Sequence, residues 1–416
     1  MKLQKPKGTQ DILPAESAKW QYVEGFAREI FKRYNYAEVR TPIFEHYEVI
    51  SRSVGDTTDI VTKEMYDFYD KGDRHITLRP EGTAPVVRSY VENKLFAPEV
   101  QKPSKFYYMG PMFRYERPQA GRLRQFHQID CELLGSASPL ADADVISLLE
   151  QFITSLGIGR LTLRLNSLGC SECRPKYREA LIAYLEKHES ELCEDCQRRL
   201  HTNPLRVLDC KKDSQQDFMK DAPRILDYNC PECREHYETV TGLLKDSGIA
   251  FVQDDHLVRG LDYYCRTTFE LQSDDIGAQT AVAGGGRYDG LIKSLGGPDV
   301  PGVGFACGME RLALLMKSPA PKKPDFYTVS LDPSCYGLAY RVSRGLRLAG
   351  LTGELGYASS SMKAAMRQAG KSGARYAIII GSDELARNVC AVKNMDNGNQ
   401  EEVAVENLAS YISTKD

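Results

Sequence analysis

Between residues 113 and 135 the chain reads FRYERPQAGRLRQFHQIDCELLG, gathering Arg114, Arg117, Arg122 and Arg124 with Glu116, Glu132, His127 and several glutamines. Guanidinium groups are planar, permanently charged forks that match phosphate oxygens, whereas the two glutamates accept from amino or imidazole donors. That inventory points to triphosphate chemistry beside a polar substrate; the bland alternative is a solvated, charged hairpin. Four further stretches carry the same flavour. LRPEGT at 78–83 sets Arg79, Glu81 and Thr83 around a proline and a glycine, where backbone can approach a ligand and Glu81 and Thr83 can hold an amine, unless the hexapeptide is only a turn. LVRGLDYYCR at 257–266 and GGGRYD at 284–289 place Arg259, Tyr263, Tyr264 and Tyr288 in irregular, glycine-flanked sequence. Buried tyrosine hydroxyls need partners, which suits a polar pocket better than a dry core, against the simpler reading of a glycine-rich turn beside core tyrosines. GVGFACGMERL at 302–312 alternates small and apolar residues, then begins a helix that carries Arg311 to where a terminal phosphate can bind.

These residues need elements to hold them. Trp20, Val23, Phe26, Ile30 and Tyr34 recur at helical spacing after the start signals Pro14 and Ser17. A strand is expected over 38–44, confined to an edge or an interface by Pro42. Short β-branched or aromatic runs at 75–79, 104–112, 128–134 and 267–271, separated by Gly and Pro, predict an antiparallel sheet rather than a βαβ series. The expected organisation is a core over 1–160, a cysteine-rich helical insertion over 161–248, the rest of the core over 249–317, a linker over 318–324 and a small α/β unit over 325–416. KSPAPKKP at 317–324 marks that linker by composition.

With 416 residues, 42% hydrophobic and 27% charged, the chain has the composition of a multidomain globular protein, and no apolar run reaches bilayer length. The amino terminus lacks an apolar signal core, so a cytoplasmic address is expected. A net charge of −3 excludes a uniformly basic nucleic-acid binder yet leaves room for a local basic face. Twelve cysteines in such a chain favour metal ligation or free thiols over disulfides. Cys170/Cys173, Cys193/Cys196 and Cys230/Cys233 form three CxxC pairs, with Cys210 alone between them; any two pairs would close a structural zinc site.

The whole chain resembles the class II aminoacyl-tRNA synthetases, and among them the bacterial-type histidyl enzymes. RTPIFE at 40–45, FRYERPQAGRLRQFHQ at 113–128 and GVGFACGMERL at 302–312 are similar to the three class motifs. LVRGLDYY at 257–264 and AGGGRYDGL at 283–291 resemble the two segments peculiar to the histidine enzymes. The resemblance implies an α+β fold: an antiparallel class II catalytic core with a helical insertion, followed by an α/β anticodon-binding domain, in a homodimer joined near Pro42. It implies activation of L-histidine by ATP with Mg²⁺ and transfer to tRNA(His). Arg114 and Arg259 would flank the α-phosphate as the catalytic pair, and Glu116, Arg122, Phe126 and Arg311 would complete the ATP site. Glu81, Thr83, Arg114, Gln128, Glu132, Arg259, Tyr263, Tyr264 and Tyr288 would surround histidine.

Two surfaces are expected to meet tRNA. Arg117 and Gln119 sit at the tip of the opening segment, where loop-borne side chains suit base edges. Seven basic residues against the single Glu354 over 341–375 provide the local basic face, with Lys363, Arg367 and Lys371 along one helix. A non-catalytic histidine-binding regulatory paralogue and a general RNA-binding protein are the rival classes. Loss of Arg259, Arg114 or the C-terminal domain would favour the paralogue, and all three are present.

Overall fold

The structure, a computed structural model, describes residues 3–56, 58–119, 121–276, 281–317, 322–357 and 361–414. Residues 318–321 of the expected linker therefore lie outside the described residues. The chain divides into two compact units, Met1–Pro319 and Ala320–Asp416.

In the first unit the strands are β1 (Ala37–Glu38), β2 (Phe44–His46), β3 (Tyr66–Tyr69), β4 (His75–Leu78), β5 (Ser104–Phe113), β6 (Gln125–Leu134), β7 (Leu161–Ser167), β8 (Val252–Gln253), β9 (Cys265–Ser273), β10 (Ala281–Arg287) and β11 (Gly302–Gly308). Eight of them form one sheet in the order β1-β5-β6-β11-β10-β9-β7-β8, antiparallel from β5 through β7 and parallel only at its two edge pairs. The four predicted runs are β4, β5, β6 and β9. The strand expected over 38–44 is instead two, β1 and β2, with Pro42 between them, because proline has no N–H to give a ladder.

Side-chain alternation sorts the sheet's faces. Ile129, Cys131 and Leu133 of β6 and Val303, Phe305 and Cys307 of β11 pack against Trp20, Val23, Ala27, Ile30 and Phe31 of the helix Pro14–Arg33 and Val145, Leu149 and Phe152 of the helix Pro139–Ser155. Phe31 stacks on Tyr107 of β5 with ring centroids 4.7 Å apart, fixing that helix across the sheet. The period of two then leaves Gln128, Asp130 and Glu132 on the opposite face.

The insertion begins later than composition indicates. Residues 161–167, expected to open it, are β7, bonded to β9 inside the main sheet. The helix Pro231–Asp246, expected within it, adds Tyr237, Val240 and Leu244 to the main core. Charged residues on β7 obscured its strand character: Arg164 meets Gln272 at 2.7 Å and Asp254 at 3.0 Å instead of facing water alone. The cysteine-rich helical stretch is thus the chain between β7 and that helix.

The second unit holds β12 (Phe326–Ser330), β13 (Gly353–Leu355), β14 (Tyr376–Ile380), β15 (Val389–Asn394) and β16 (Gln400–Ala404), in the order β13-β12-β14-β15-β16. Its first three strands are parallel and the last two add an antiparallel hairpin to the expected α/β alternation.

Candidate active site

Two glycines make room for the chemistry. Gly304 of β11 stands opposite Glu132, and a Cβ there would overlap the Glu132 carboxyl; one on Gly284 of β10 would overlap the guanidinium of Arg259. Bare backbone on adjacent strands lets long polar side chains lie flat over the sheet.

One end of this face is a buried cluster of carboxyls and tyrosines. Glu132, 1% exposed, accepts from the Tyr108 hydroxyl at 3.0 Å and from the Tyr288 hydroxyl, with the Thr83 side chain alongside. Burial pushes its carboxyl up to about 8 against the help of those donors. Glu81 accepts from the amides of Thr83 at 2.9 Å and Ala84 at 2.8 Å and from the Tyr263 hydroxyl at 3.2 Å, and burial raises it as well. Asp130, between Gln128 and Glu132, is buried with neither carboxyl oxygen in a well-formed hydrogen bond. Burial and then the neighbouring Glu132 hold its pKa well above the usual carboxylate range. The Gln128 carbonyl oxygen is buried and unpartnered too. Tyr264 closes the cluster, its ring 4.6 Å from Tyr263 and 6.5 Å from Tyr288. Buried acceptors without donors are costly, so this end is built for a ligand rich in N–H groups.

The other end collects arginines. Arg114 donates from Nε to the Pro80 carbonyl at 2.8 Å, tying the LRPEGT turn to the motif hairpin, and lies 5.3 Å from the Phe126 ring. Arg122 pairs with Glu116 at 2.8 Å. Arg311 donates to the carbonyl of Ala281 and, at 3.4 Å, to that of Gly121; burial and then the nearby Arg122 hold its pKa below the arginine norm. Arg114 and Arg311 have no ion pair with a carboxylate among the described residues, and clustered cations in that state are relieved by an anion. Arg259 pairs with Glu270 at 2.6 Å; burial most strongly opposes its charge, but Glu270, Tyr264 and Tyr263 together outweigh it and its pKa rises. Its Nε is buried without a partner.

Thus the expected histidine residues Glu81, Thr83, Gln128, Glu132, Tyr263, Tyr264 and Tyr288 share one pocket region. Arg117 and Gln119 are exposed at the hairpin turn, where the Gln119 and Arg122 backbones bridge. Arg79 is buried, bonded to the carbonyls of Pro111 at 3.0 Å and Thr41 at 3.1 Å, and braces the turn that carries Glu81 and Thr83. Tyr108, Glu270 and Asp130 were not expected. Asp130 was legible, since Gln128, Asp130 and Glu132 at period two must share a face; Tyr108 and Glu270 reach the site only through strand pairing.

In the second unit, Lys363, Arg367 and Lys371 are exposed along the helix Met362–Ser372, whose buried face is Ala365 and Ala369. The cysteines sort into two groups, Cys170, Cys173, Cys230 and Cys233, and Cys193, Cys196, Cys210 and Asp213. Cys210 is therefore not alone, and the pair Cys193/Cys196 does not meet the other two pairs.

The comparisons agree with this architecture. The pattern for histidyl-tRNA synthetase matches residues 8–312 and that for an anticodon binding domain matches residues 325–415. A histidine–tRNA ligase of Streptococcus pneumoniae is 55% identical over 418 aligned positions, covering 99% of this chain and 97% of the relative. The crystal structure of apo Staphylococcus aureus histidyl-tRNA synthetase aligns with TM-score 0.83 and 40% identity, covering 99% of this chain and 100% of that one. An ATP phosphoribosyltransferase regulatory subunit/histidyl-tRNA synthetase from Bacillus halodurans, 19% identical with TM-score 0.68 over 92% of this chain and 99% of that one, shares the fold alone. With four motif segments, 113–128, 257–264, 283–291 and 302–312, converging on one sheet face and both units matched, the chain belongs to the histidyl-tRNA synthetase family.

Proposed function

We propose that this site performs the histidine–tRNA ligase reaction with the following division of labour. Histidine enters the tyrosine-carboxyl end. Its ammonium faces Glu81 and Thr83, its carboxylate lies toward Gln128 and Arg114, and its imidazole pairs with Glu132 under Tyr263, Tyr264 and Tyr288. ATP lies over the arginine end, adenine against Phe126 and Glu116, outer phosphates on Arg122 and Arg311. Magnesium travels with the phosphates; among the described residues, the groups of three or more donors close enough to share an ion are the two thiol-rich ones. Attack of the histidine carboxylate on the α-phosphate gathers negative charge that Arg114 and Arg259 stabilise, and pyrophosphate leaves. The terminal ribose hydroxyl of tRNA(His) then takes the histidyl group and AMP departs.

The observation that carries the substrate assignment is the set of buried acceptors at Gln128, Asp130 and Glu132, which asks for a donor-rich guest. ATP–pyrophosphate exchange measured with each amino acid in turn tests it. Exchange with histidine alone is expected; a histidine-independent signal, or none, would overturn the reading.

Transfer should separate from activation. Lys363, Arg367 and Lys371 form an exposed cationic row that supports contact with the tRNA backbone. Replacing all three by glutamine should raise the KM for tRNA about tenfold or more and flatten its dependence on salt, with histidine activation unchanged. Arg117 and Gln119 are proposed to meet the acceptor end.

A homodimer is part of the same reading. The small sheet β2-β4-β3 is patterned inside out: Glu45 and Thr77 are buried, whereas Phe44 is 59% and Phe68 47% exposed on the other face, beside Ile76 and Leu78. An outward apolar sheet face is the mark of a protein interface. Phe44→Asp with Phe68→Asp should convert a sedimenting dimer to monomer; a wild-type monomer at micromolar concentration would refute the interface.

The described chain has no helix long and apolar enough to cross a membrane, and its twelve cysteines are free, which supports a reducing cytoplasm. The cysteine-rich stretch is proposed to carry structural zinc, outside the chemistry.

A further inference from the structure

Resting on that zinc reading, we infer that the stretch holds two zinc ions at separate sites of different donor type: a four-thiolate site of Cys170, Cys173, Cys230 and Cys233, and a three-thiolate, one-carboxylate site of Cys193, Cys196, Cys210 and Asp213. Within each set the ligand atoms lie within 4.8 Å of one another. Sulfur separations are 3.5 Å for Cys170 and Cys173, 4.0 Å for Cys170 and Cys230, and 3.8 Å for Cys193 and Cys210. A Zn–S bond of ~2.3 Å puts the sulfurs of a tetrahedral set about 3.8 Å apart, so the spacing is that of ligands around one ion. It is far longer than a disulfide bond.

Local structure prepares the sites. All three CxxC pairs straddle a helix start: Cys173 opens the helix Cys173–Leu185, while Cys193 and Cys230 cap the helices Glu194–Thr202 and Pro231–Asp246. Free N–H groups at such ends favour thiolates, and the Cys230 amide already donates to the Cys173 sulfur at 3.1 Å.

Asp213 is the residue that completes the second set. It is 1% exposed, accepts from the Cys193 amide at 3.1 and 3.3 Å and from Gln216 at 3.3 Å, and no Lys or Arg pairs with it among the described residues. A buried carboxylate beside three thiols and without a basic partner calls for a cation, and the donors from Gln216 and the Cys193 backbone orient it as outer contacts orient a metal ligand. Soft thiolates in tetrahedral array select zinc over magnesium or calcium.

The two sites are nested in the chain and serve different joints. The first closes the base of the stretch, directly after the point where Leu168 donates to the Arg266 carbonyl at 2.6 Å and Arg266 donates to that of Gly169 at 2.8 Å. The second holds the helix whose C-cap, Asn203, donates to Asp262 at 3.2 Å. Both therefore steady the chain on either side of Tyr263 and Tyr264.

Elemental analysis of the full chain, purified reduced and without chelators, tests the proposal. Two zinc per chain is expected, released by a mercurial in two stages that consume four and three thiolates. One zinc would overturn the two-site partition but leave a zinc-stapled stretch; none would overturn both. Cys170→Ser with Cys230→Ser, and Cys193→Ser with Cys210→Ser, should each leave one zinc; loss of both ions from either variant, with circular dichroism unchanged, would refute separate sites. With cobalt in place of zinc, Asp213→Cys should add a fourth thiolate at the second site. It should keep two ions per chain and intensify the near-ultraviolet thiolate-to-cobalt band; an unchanged band would remove Asp213 from the ligand set.

Discussion

Arg259→His is expected to lower histidine-dependent ATP–pyrophosphate exchange by about 10²–10³-fold, the range for losing one preorganised charge donor, while histidine binding stays measurable. Arg259 is poised for that loss to be specific. Its guanidinium lies over Gly284 and is held by Glu270 at 2.6 Å, which in turn is fixed by Gln272 at 2.6 Å, so its position is set before any substrate arrives. A preorganised cation costs no reorganisation when charge develops on the α-phosphate, whereas an imidazole is shorter and largely neutral at pH 7. The loss should fall on kcat for adenylate formation more than on the KM for histidine, and Arg259→Lys should recover part of it. Exchange within threefold of wild type would remove Arg259 from the catalytic pair.

Glu132→Leu is expected to raise the KM for histidine by about 10² or more, because the variant strands the Tyr108 and Tyr288 hydroxyls and leaves the imidazole N–H unpaired in a dry pocket. Glu132→Gln preserves the shape and one acceptor, so its defect should be smaller, and it reports separately on charge. Burial raises the Glu132 carboxyl from 4.5 to about 8, so the folded ligand-free enzyme keeps a proton there that the unfolded chain has lost. The folded state consequently loses stability as pH rises from about 4.5 to 8, by up to ~1.4 kcal/mol per unit, and levels off above that. Glu132→Gln has no proton to lose and should show a shallower decline of Tm over that window. An equal slope in the two proteins would assign the pH dependence to other groups, and a histidine KM unmoved in Glu132→Leu would remove this residue from the imidazole pocket.

Much of the site was legible before any fold was known, for a chemical reason. Arginine, glutamate and tyrosine in glycine-punctuated segments are costly to bury and have few structural uses, so Arg114, Glu132, Arg259 and Tyr264 announce themselves by type. The fold class followed from short, β-rich runs broken by Gly and Pro. Residues whose task depends on pairing across the sheet were not legible: Tyr108 reaches Glu132 because β5 lies beside β6, and Glu270 reaches Arg259 because β9 sets it opposite Gly284 of β10, over which the Arg259 guanidinium lies. Composition also misled where local type and tertiary setting disagree. Arg164 made β7 look like part of a charged helical insertion, although its partners Gln272 and Asp254 belong to the neighbouring sheet region.

The opening segment shows where the division falls. Sequence alone determined that Arg114, Glu116, Arg122, Gln128 and Glu132 would share one hairpin, and period two determined that Gln128, Asp130 and Glu132 would share a face. Only the tertiary structure decided which face is buried, that Asp130 makes no well-formed hydrogen bond there, and that Cys210 and Asp213 complete a set with Cys193 and Cys196 while the other two pairs meet 60 residues apart. Type and spacing along a chain specify local geometry, but burial and long-range pairing are properties of the packed whole, set by which apolar faces meet.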